Sequence, residues 1–166
     1  MFNSFAEYEN VVPLLAPVDL GSTATDLPSI ALKGAHRVAF LVMQGVTTPN
    51  ACGDIVDITV VAATAEGAVA QTAIAGNYRK SSAVTANTWG AITAFTATGV
   101  ELTDDDEGMA IWIEIDADAL AASDYTHLHL HVEQNAFTAF FASCVAFLDA
   151  RYKMTSMVTA TACASA

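Results

Sequence analysis

Basic side chains are scarce in this sequence. Its 166 residues include 6 lysines and arginines against 18 aspartates and glutamates, which gives a net charge of −12 at pH 7. Nucleic-acid binding draws much of its affinity from basic side chains that neutralise phosphates, so a chain with this balance repels DNA and RNA. We therefore expect no nucleic-acid partner.

Cysteine is also rare, and long apolar runs are missing. The chain has 3 cysteines, Cys52, Cys144 and Cys163, an odd number at wide spacing. This usage predicts free thiols in a protein made in a reducing compartment, the cytoplasm of the producing cell. The segment MFNSFAEYENVV has acidic residues where a signal peptide would be basic. The most apolar run, AFTAFFASCVAFL, is too short to span a bilayer, so we expect no membrane association.

Motifs that accompany catalysis are missing as well. The sequence contains no G-x-S-x-G nucleophile elbow and no glycine-rich phosphate loop, and its cysteines do not form a C-x-x-C pair. We therefore expect a protein that is not an enzyme, with no catalytic residues and no cofactor.

What the sequence does contain is the alternation of β-strands. In MAIWIEIDADAL, for example, Ile111, Ile113 and Ile115 fall on one face of a strand, and Trp112, Glu114 and Asp116 on the other. Several short strands separated by turn signals predict an all-β antiparallel β-sandwich or jelly-roll-like domain over residues 31–153. The residues expected in its core are Val38, Phe40, Val42, Ile58, Val60, Ile111, Ile113, Ile115, Leu128, Leu130 and Val132.

One apolar segment is ambiguous in periodicity. Residues 137–152 are apolar at most positions, which fits either a central strand or a buried helix. Helix caps are missing, so we expect a strand, with a helix as the alternative.

Three of the four histidines lie in the heptapeptide THLHLHV at residues 126–132. In a strand His127, His129 and His131 share one face, and the outer two lie about 13 Å apart, too far to bind one ion together. A metal site would need further ligands from elsewhere in the chain. We therefore expect a solvent-facing or subunit-facing strand and no metal, with a carbohydrate- or metal-binding module using these histidines as the alternative.

The two ends of the chain differ from the middle in composition. Residues 1–30 contain 3 of the 4 prolines and predict an extended N-terminal arm, and residues 154–166 predict a small C-terminal tail. The arm has more large apolar side chains than a solvated segment would tolerate, which favours a role in assembly. The expected assembly contacts are Phe2, Phe5, Tyr8, Val11, Val12, Leu14, Leu15, Met154 and Met157.

The few basic residues occur in small groups. Lys33 lies near Arg37, Arg79 precedes Lys80, and Arg151 lies near Lys153. Such groups could pair with acidic residues of a neighbouring subunit, or they could form ordinary salt bridges within the chain.

The order of motifs resembles that of small virion structural proteins of tailed bacteriophages and prophages. The resemblance covers roughly residues 30–153 and includes LKGAHRVAFLVMQG, then IWIEIDADALAASDYTHLHLHV, then FFASCVAFLDARYKM, with ARYK at residues 150–153.

The resemblance implies a non-enzymatic capsid decoration (cement) protein or another auxiliary head component. Its partners would be the major capsid protein and copies of itself, with a homotrimer expected, and its location would be the capsid surface. A head–tail connector or a tail component is the alternative within the same class.

Overall fold

The computed structural model describes residues 9–21, 24–49, 55–66, 71–82, 88–117, 120, 123–134, 137–150 and 160–161. Most of this part of the chain is extended, and its strands form two sheets in which every pairing is antiparallel. The prediction of an all-β antiparallel sandwich is confirmed.

The first sheet has six strands in the order β1-β12-β4-β10-β7-β8. These are β1 (Glu9–Asp19), β4 (Ala35–Pro49), β7 (Gly76–Lys80), β8 (Thr93–Phe95), β10 (Ala110–Asp116) and β12 (Phe137–Ala150). The second sheet has seven strands, with β11 and β5 paired along their length at its centre. These are β2 (Thr25–Asp26), β3 (Ser29–Ala31), β5 (Ile55–Ala63), β6 (Thr72–Ala73), β9 (Val100–Thr103), β11 (His127–Gln134) and β13 (Ala160–Thr161).

A single apolar core fills the space between the two sheets. All of the predicted core residues are buried, and Phe40, Ile113 and Leu130 are each 0% exposed. Strict alternation explains this agreement, because β10 shows the burial pattern of a strand with one face on the core and one face outward. The core predicted from the sequence is confirmed.

The N-terminal segment departs from the prediction. Glu9–Asp19 is the edge strand β1, hydrogen-bonded to β12, rather than part of an extended arm. Val12 and Leu14 are both 6% exposed and belong to the core of this domain, so their assignment as assembly contacts is wrong. Pro13 and Pro17 obscured the pattern in the sequence, although an edge strand tolerates proline because its N–H groups need not all find a partner.

The ambiguous segment at residues 137–152 forms a strand as far as it is described. Phe137–Ala150 is β12, which pairs with β1 on one side and with β4 on the other. Its buried residues Phe140, Cys144 and Leu148 lie at even positions and face the core. Burial raises the pKa of the Cys144 thiol to about 12, so this free cysteine stays protonated.

The acidic turn after β9 connects the two sheets through Asp106. A short 3-10 helix spans Asp104–Asp106, and Asp106 is only 7% exposed. Its carboxylate accepts hydrogen bonds from the Thr103 backbone N–H at 2.9 Å and from Lys80 Nζ at 2.6 Å. Lys80 therefore joins the six-stranded sheet to the edge of the other sheet. For this residue, the alternative of a salt bridge within the chain is confirmed.

The C-terminal tail contributes one short pairing, in which Ala160 lies opposite Ile30 and Thr161 opposite Ser29. The described residues contain no helix that is both long and apolar enough to cross a membrane.

Candidate assembly surface

The six-stranded sheet has many apolar side chains on its outward side as well as on its core side. Alternation along β4, β10 and β12 turns every second residue away from the core, and the strand register sets these residues side by side. We call this surface the aromatic face. It comprises Val11, Pro13, Arg37, Ala39, Leu41, Met43, Asn77, Arg79, Trp89, Trp112, Glu114, Asp116, Phe141, Ser143, Val145, Phe147 and Asp149.

Three aromatic rings form a row across the aromatic face. Trp112 packs between Phe147, at 5.2 Å between ring centroids, and Trp89, at 6.4 Å with the rings edge to face. Such contacts hold the rings in defined positions and leave part of their surface to solvent. Trp89 remains 42% exposed, and Met43 and Phe141 are 54% and 45% exposed. Large rings held in place at the surface are suited to binding another molecule.

Charged groups of both signs border the aromatic row. Arg37 Nη2 lies 3.5 Å from Asp149 Oδ2 in an exposed ion pair. Glu114 Oε1 accepts a hydrogen bond from the indole N–H of Trp112 at 2.7 Å, which fixes the orientation of the indole ring. No ion pair joins the guanidinium of Arg79 to any residue in the described ranges. These groups surround two shallow hollows of about 140 and 290 Å³ that meet at Trp112 and Glu114.

The histidine strand is β11, and its two faces are those predicted. Leu128, Leu130 and Val132 point into the core. On the opposite face, His127 and His131 are partly exposed, but His129 is 0% exposed, so the expectation of an outward-facing strand is wrong at this residue. His129 lies midway along the strand opposite Val61, which is also buried, and this central part of the face is closed to solvent.

Two of the three histidines bind neighbouring residues. His131 donates from Nδ1 to Asp26 Oδ1 at 2.6 Å, and His127 donates from Nδ1 to the hydroxyl of Thr126 at 2.8 Å. Both ring nitrogens of His129 are without a hydrogen-bond partner, and the nearest carboxylate oxygen, on Asp26, is 3.7 Å from Nε2. Within the described part of the chain, no group of three or more histidine, cysteine or acidic residues could hold a metal ion. His127 also lines a hollow of about 660 Å³ with Tyr125 and Lys33.

His129 makes the stability of the fold depend on pH. Burial lowers its pKa, with a smaller lowering from His131, and Asp26 opposes both. Above pH 6.5, the ordinary pKa of histidine, His129 is neutral in both the folded and the unfolded chain, and the fold keeps its full stability. As the pH falls below 6.5 the unfolded chain takes up the proton more readily than the fold, so this stability is lost. We expect the free energy of unfolding to fall between pH 7.5 and 5.5, by up to about 1.4 kcal/mol per pH unit from this residue.

Urea unfolding at both pH values measures this effect. His129→Leu should lose the part of the slope that His129 causes, whereas the partly exposed His127→Leu serves as the matched control and should keep it. An identical slope in wild type and His129→Leu would contradict the assignment.

A row of carboxylates crosses the outward side of the seven-stranded sheet. Glu133 of β11, Asp57 of β5 and Glu101 of β9 are direct cross-strand neighbours. Partial burial raises the pKa of Asp57, and the charges of Glu101 and Glu133 raise it further. Like charges at directly opposed positions destabilise a sheet. These three carboxylates therefore lie on the side of the sandwich opposite the aromatic face, with no basic residue in the row.

Asp57→Asn is expected to stabilise the protein at pH 7 by about 0.2–1 kcal/mol for each like-charge pair removed. Because the pKa of Asp57 is raised, the fold holds the proton of this carboxyl more tightly than the unfolded chain does. Its contribution to stability is fully present below pH 3.8, the ordinary pKa, and is lost as the pH rises through the raised pKa. The advantage of the variant should therefore shrink as the pH is lowered towards 3.8 in thermal unfolding scans. Exposed Glu66→Gln is the control, and an equal gain there would contradict the local origin of the effect.

The remaining predicted assembly contacts stay a prediction. Val11 pairs with Phe147 at the border of the aromatic face, and Leu15 packs partly buried against the core. Phe2, Phe5, Tyr8, Met154 and Met157 lie outside the described residues, as do Cys52 and Cys163. The sequence pattern placed Trp112 and Glu114 on an outward face but did not identify Phe147 and Trp89 as their neighbours.

Comparison with protein families, with curated proteins and with solved structures finds no match to this chain.

Proposed function

We propose that this protein is a non-enzymatic structural component of a virion, a decoration protein on the outer surface of a tailed-phage head. In that role it joins neighbouring subunits through the aromatic face. The resemblance of its sequence motifs to phage virion proteins supports this proposal, and so does the character of its surface.

The observation that carries the proposal is the apolar character of β4 and β12 on both sides. A strand with one face in water normally alternates apolar and polar residues, whereas a strand covered on both faces is apolar throughout. β12 reads FTAFFASCVAFLDA, and the sequence of β4 is similarly apolar. These two strands have the composition of strands that are covered on both sides in the working assembly.

The charge distribution supports an outer location. The described acidic row lies on the seven-stranded sheet, away from the aromatic face, and the chain as a whole has a net charge of −12. Such a molecule avoids packaged DNA and stays soluble until it is bound. A small protein that bridges capsomers strengthens a shell because each added interface is repeated at every equivalent position. The partners in this proposal are the major capsid protein and further copies of the chain.

Copy number and position in particles test the proposal. Virus particles made by cells that encode this chain would be purified, and the copies per particle measured by quantitative mass spectrometry against the major capsid protein. Cryo-electron microscopy of the same particles would give the position. We expect hundreds of copies on the outer surface of the head.

The main alternative is a head–tail connector or a tail component. A dozen or fewer copies, placed at one vertex or along the tail, would contradict decoration and favour that alternative. Purified particles without the chain would contradict both.

A further inference from the structure

We propose that the occupant of the aromatic face is a second copy of the same chain, docked face to face about a two-fold axis. This inference rests on the proposed function for its biological setting, since it names the partner of the assembly surface. It differs from the homotrimer expected from the resemblance, and it follows from the charge, size and ring geometry of the face.

Charge selects the aromatic face as the place where two copies can meet. Two molecules that each have a net charge of −12 repel each other unless they meet through a patch whose local charge is nearly balanced. The acidic row of Asp57, Glu101 and Glu133 excludes the outward side of the other sheet from this role. Arg37 and Arg79 are two of only 6 basic residues in the chain, and both lie on the aromatic face.

The aromatic face has charges of both signs, so it can be complementary to itself. A two-fold contact brings the same patch of both copies together, with each residue i meeting j and each j meeting i. Arg37 lies between its cross-strand neighbours Asp116 and Asp149, and Arg79 lies beside Trp112 at the apolar centre. Each basic group of one copy can therefore pair with an acidic group of the other, in both directions at once. A partner whose surface has charges of only one sign could pair with either the basic or the acidic groups of this face, but not with both.

The area of the aromatic face approaches the area that each partner buries in a stable dimer. Five strands at about 4.8 Å spacing make it roughly 24 Å wide, and eight residue steps along β12 make it roughly 26 Å long. The resulting flat area of about 600 Å², before the relief of side chains is added, approaches the roughly 800 Å² per partner of a standard interface. Trp112 and Arg79 are of the residue types that supply most of the affinity in protein interfaces when they lie near the centre, and Phe147 packs against Trp112.

Ring truncation is the first test, with the full chain studied by analytical ultracentrifugation over a range of concentrations. Wild type is expected to show a reversible monomer–dimer equilibrium built on the 17.3 kDa chain. Trp112→Ser should weaken self-association about 30-fold or more while circular dichroism stays unchanged. Val18→Ser is the matched control, because Val18 is 41% exposed but pairs with the core-facing Ala142, and it should dimerise as wild type does.

Charge exchange is the second test, and it separates a second copy from any other occupant. One variant has Arg37→Glu with Arg79→Glu, so that its face is acidic. The other has Asp116→Lys with Asp149→Lys, so that its face is basic. Each variant alone should remain monomeric where wild type is dimeric, and an equimolar mixture should form a heterodimer. Restoration on mixing requires the two faces to contact each other.

Three results would overturn the pairing: wild type that stays monomeric up to about 1 mM, variants that dimerise as wild type does, or a mixture that stays monomeric. None of these results bears on whether particles contain the chain. Decoration could stand with monomers bound at hundreds of copies per head, and the pairing could stand if particles lacked the protein.

Discussion

Phe140→Ala is expected to destabilise the protein by about 3–5 kcal/mol, a large fraction of the stability of a typical domain. Phe140 is 0% exposed and is among the largest fully buried side chains. It lies on β12, which pairs with strands on both of its sides, so the surrounding backbone has little freedom to collapse into the cavity. Urea unfolding followed by circular dichroism measures the loss.

The next residue provides the matched control. Phe141 is the same side chain on the same strand, but it points outward and is 45% exposed. Phe141→Ala should therefore cost less than about 1 kcal/mol in the monomer. Similar losses for the two variants would show that the faces of β12 have been assigned incorrectly, and the aromatic face would have to be redrawn.

Gly99→Ala is expected to cost about 2–5 kcal/mol, through backbone conformation and through crowding. Gly99 has a φ of 90°, a region that residues with a Cβ rarely adopt. A Cβ at this position would also lie 2.5 Å from the carbonyl oxygen of Ile58, in the central part of β5. Relieving that contact would shift the pairing of β5 with β9. Thermal and urea unfolding would measure the change.

Gly21→Ala separates the two contributions. Gly21 also has a positive φ, 61°, but a Cβ there meets nothing within 4 Å. This control should lose only the conformational part, about 1–2 kcal/mol. Equal losses at the two glycines would mean that contact with Ile58 adds nothing.

The sequence predicted the core well where alternation was strict. β10 and β11 follow a period of two, so Ile113 and Leu130 could be assigned to the core from the sequence alone. β1 was missed because Pro13 and Pro17 are typical of loops, and the register with β12 that makes them tolerable involves residues more than a hundred positions away. Short-range patterns carry no information about such long-range pairings.

The candidate surface was predictable only in part, for the same physical reason. Alternation determines which side of a strand Trp112 occupies, but the register between β10, β4 and β12 decides that Phe147 lies beside it. For His129 the sequence predicted the direction of the side chain but not its burial. A period of two gives the direction of its side chain, whereas its complete burial depends on what covers that face of the sheet.

The two edge strands of the six-stranded sheet limit its polymerisation. One edge is β1, in which Pro13 and Pro17 remove N–H donors, and the other is β8, only 3 residues long. An incoming strand finds too few free hydrogen-bonding groups at either edge to extend the sheet into a fibre. Copies of a sheet that is largely apolar on both sides are exposed to this hazard at high local concentration, and these edges favour closed oligomers over open-ended fibres. Replacing both prolines would remove the barrier at the longer edge and open a route to amyloid-like stacking.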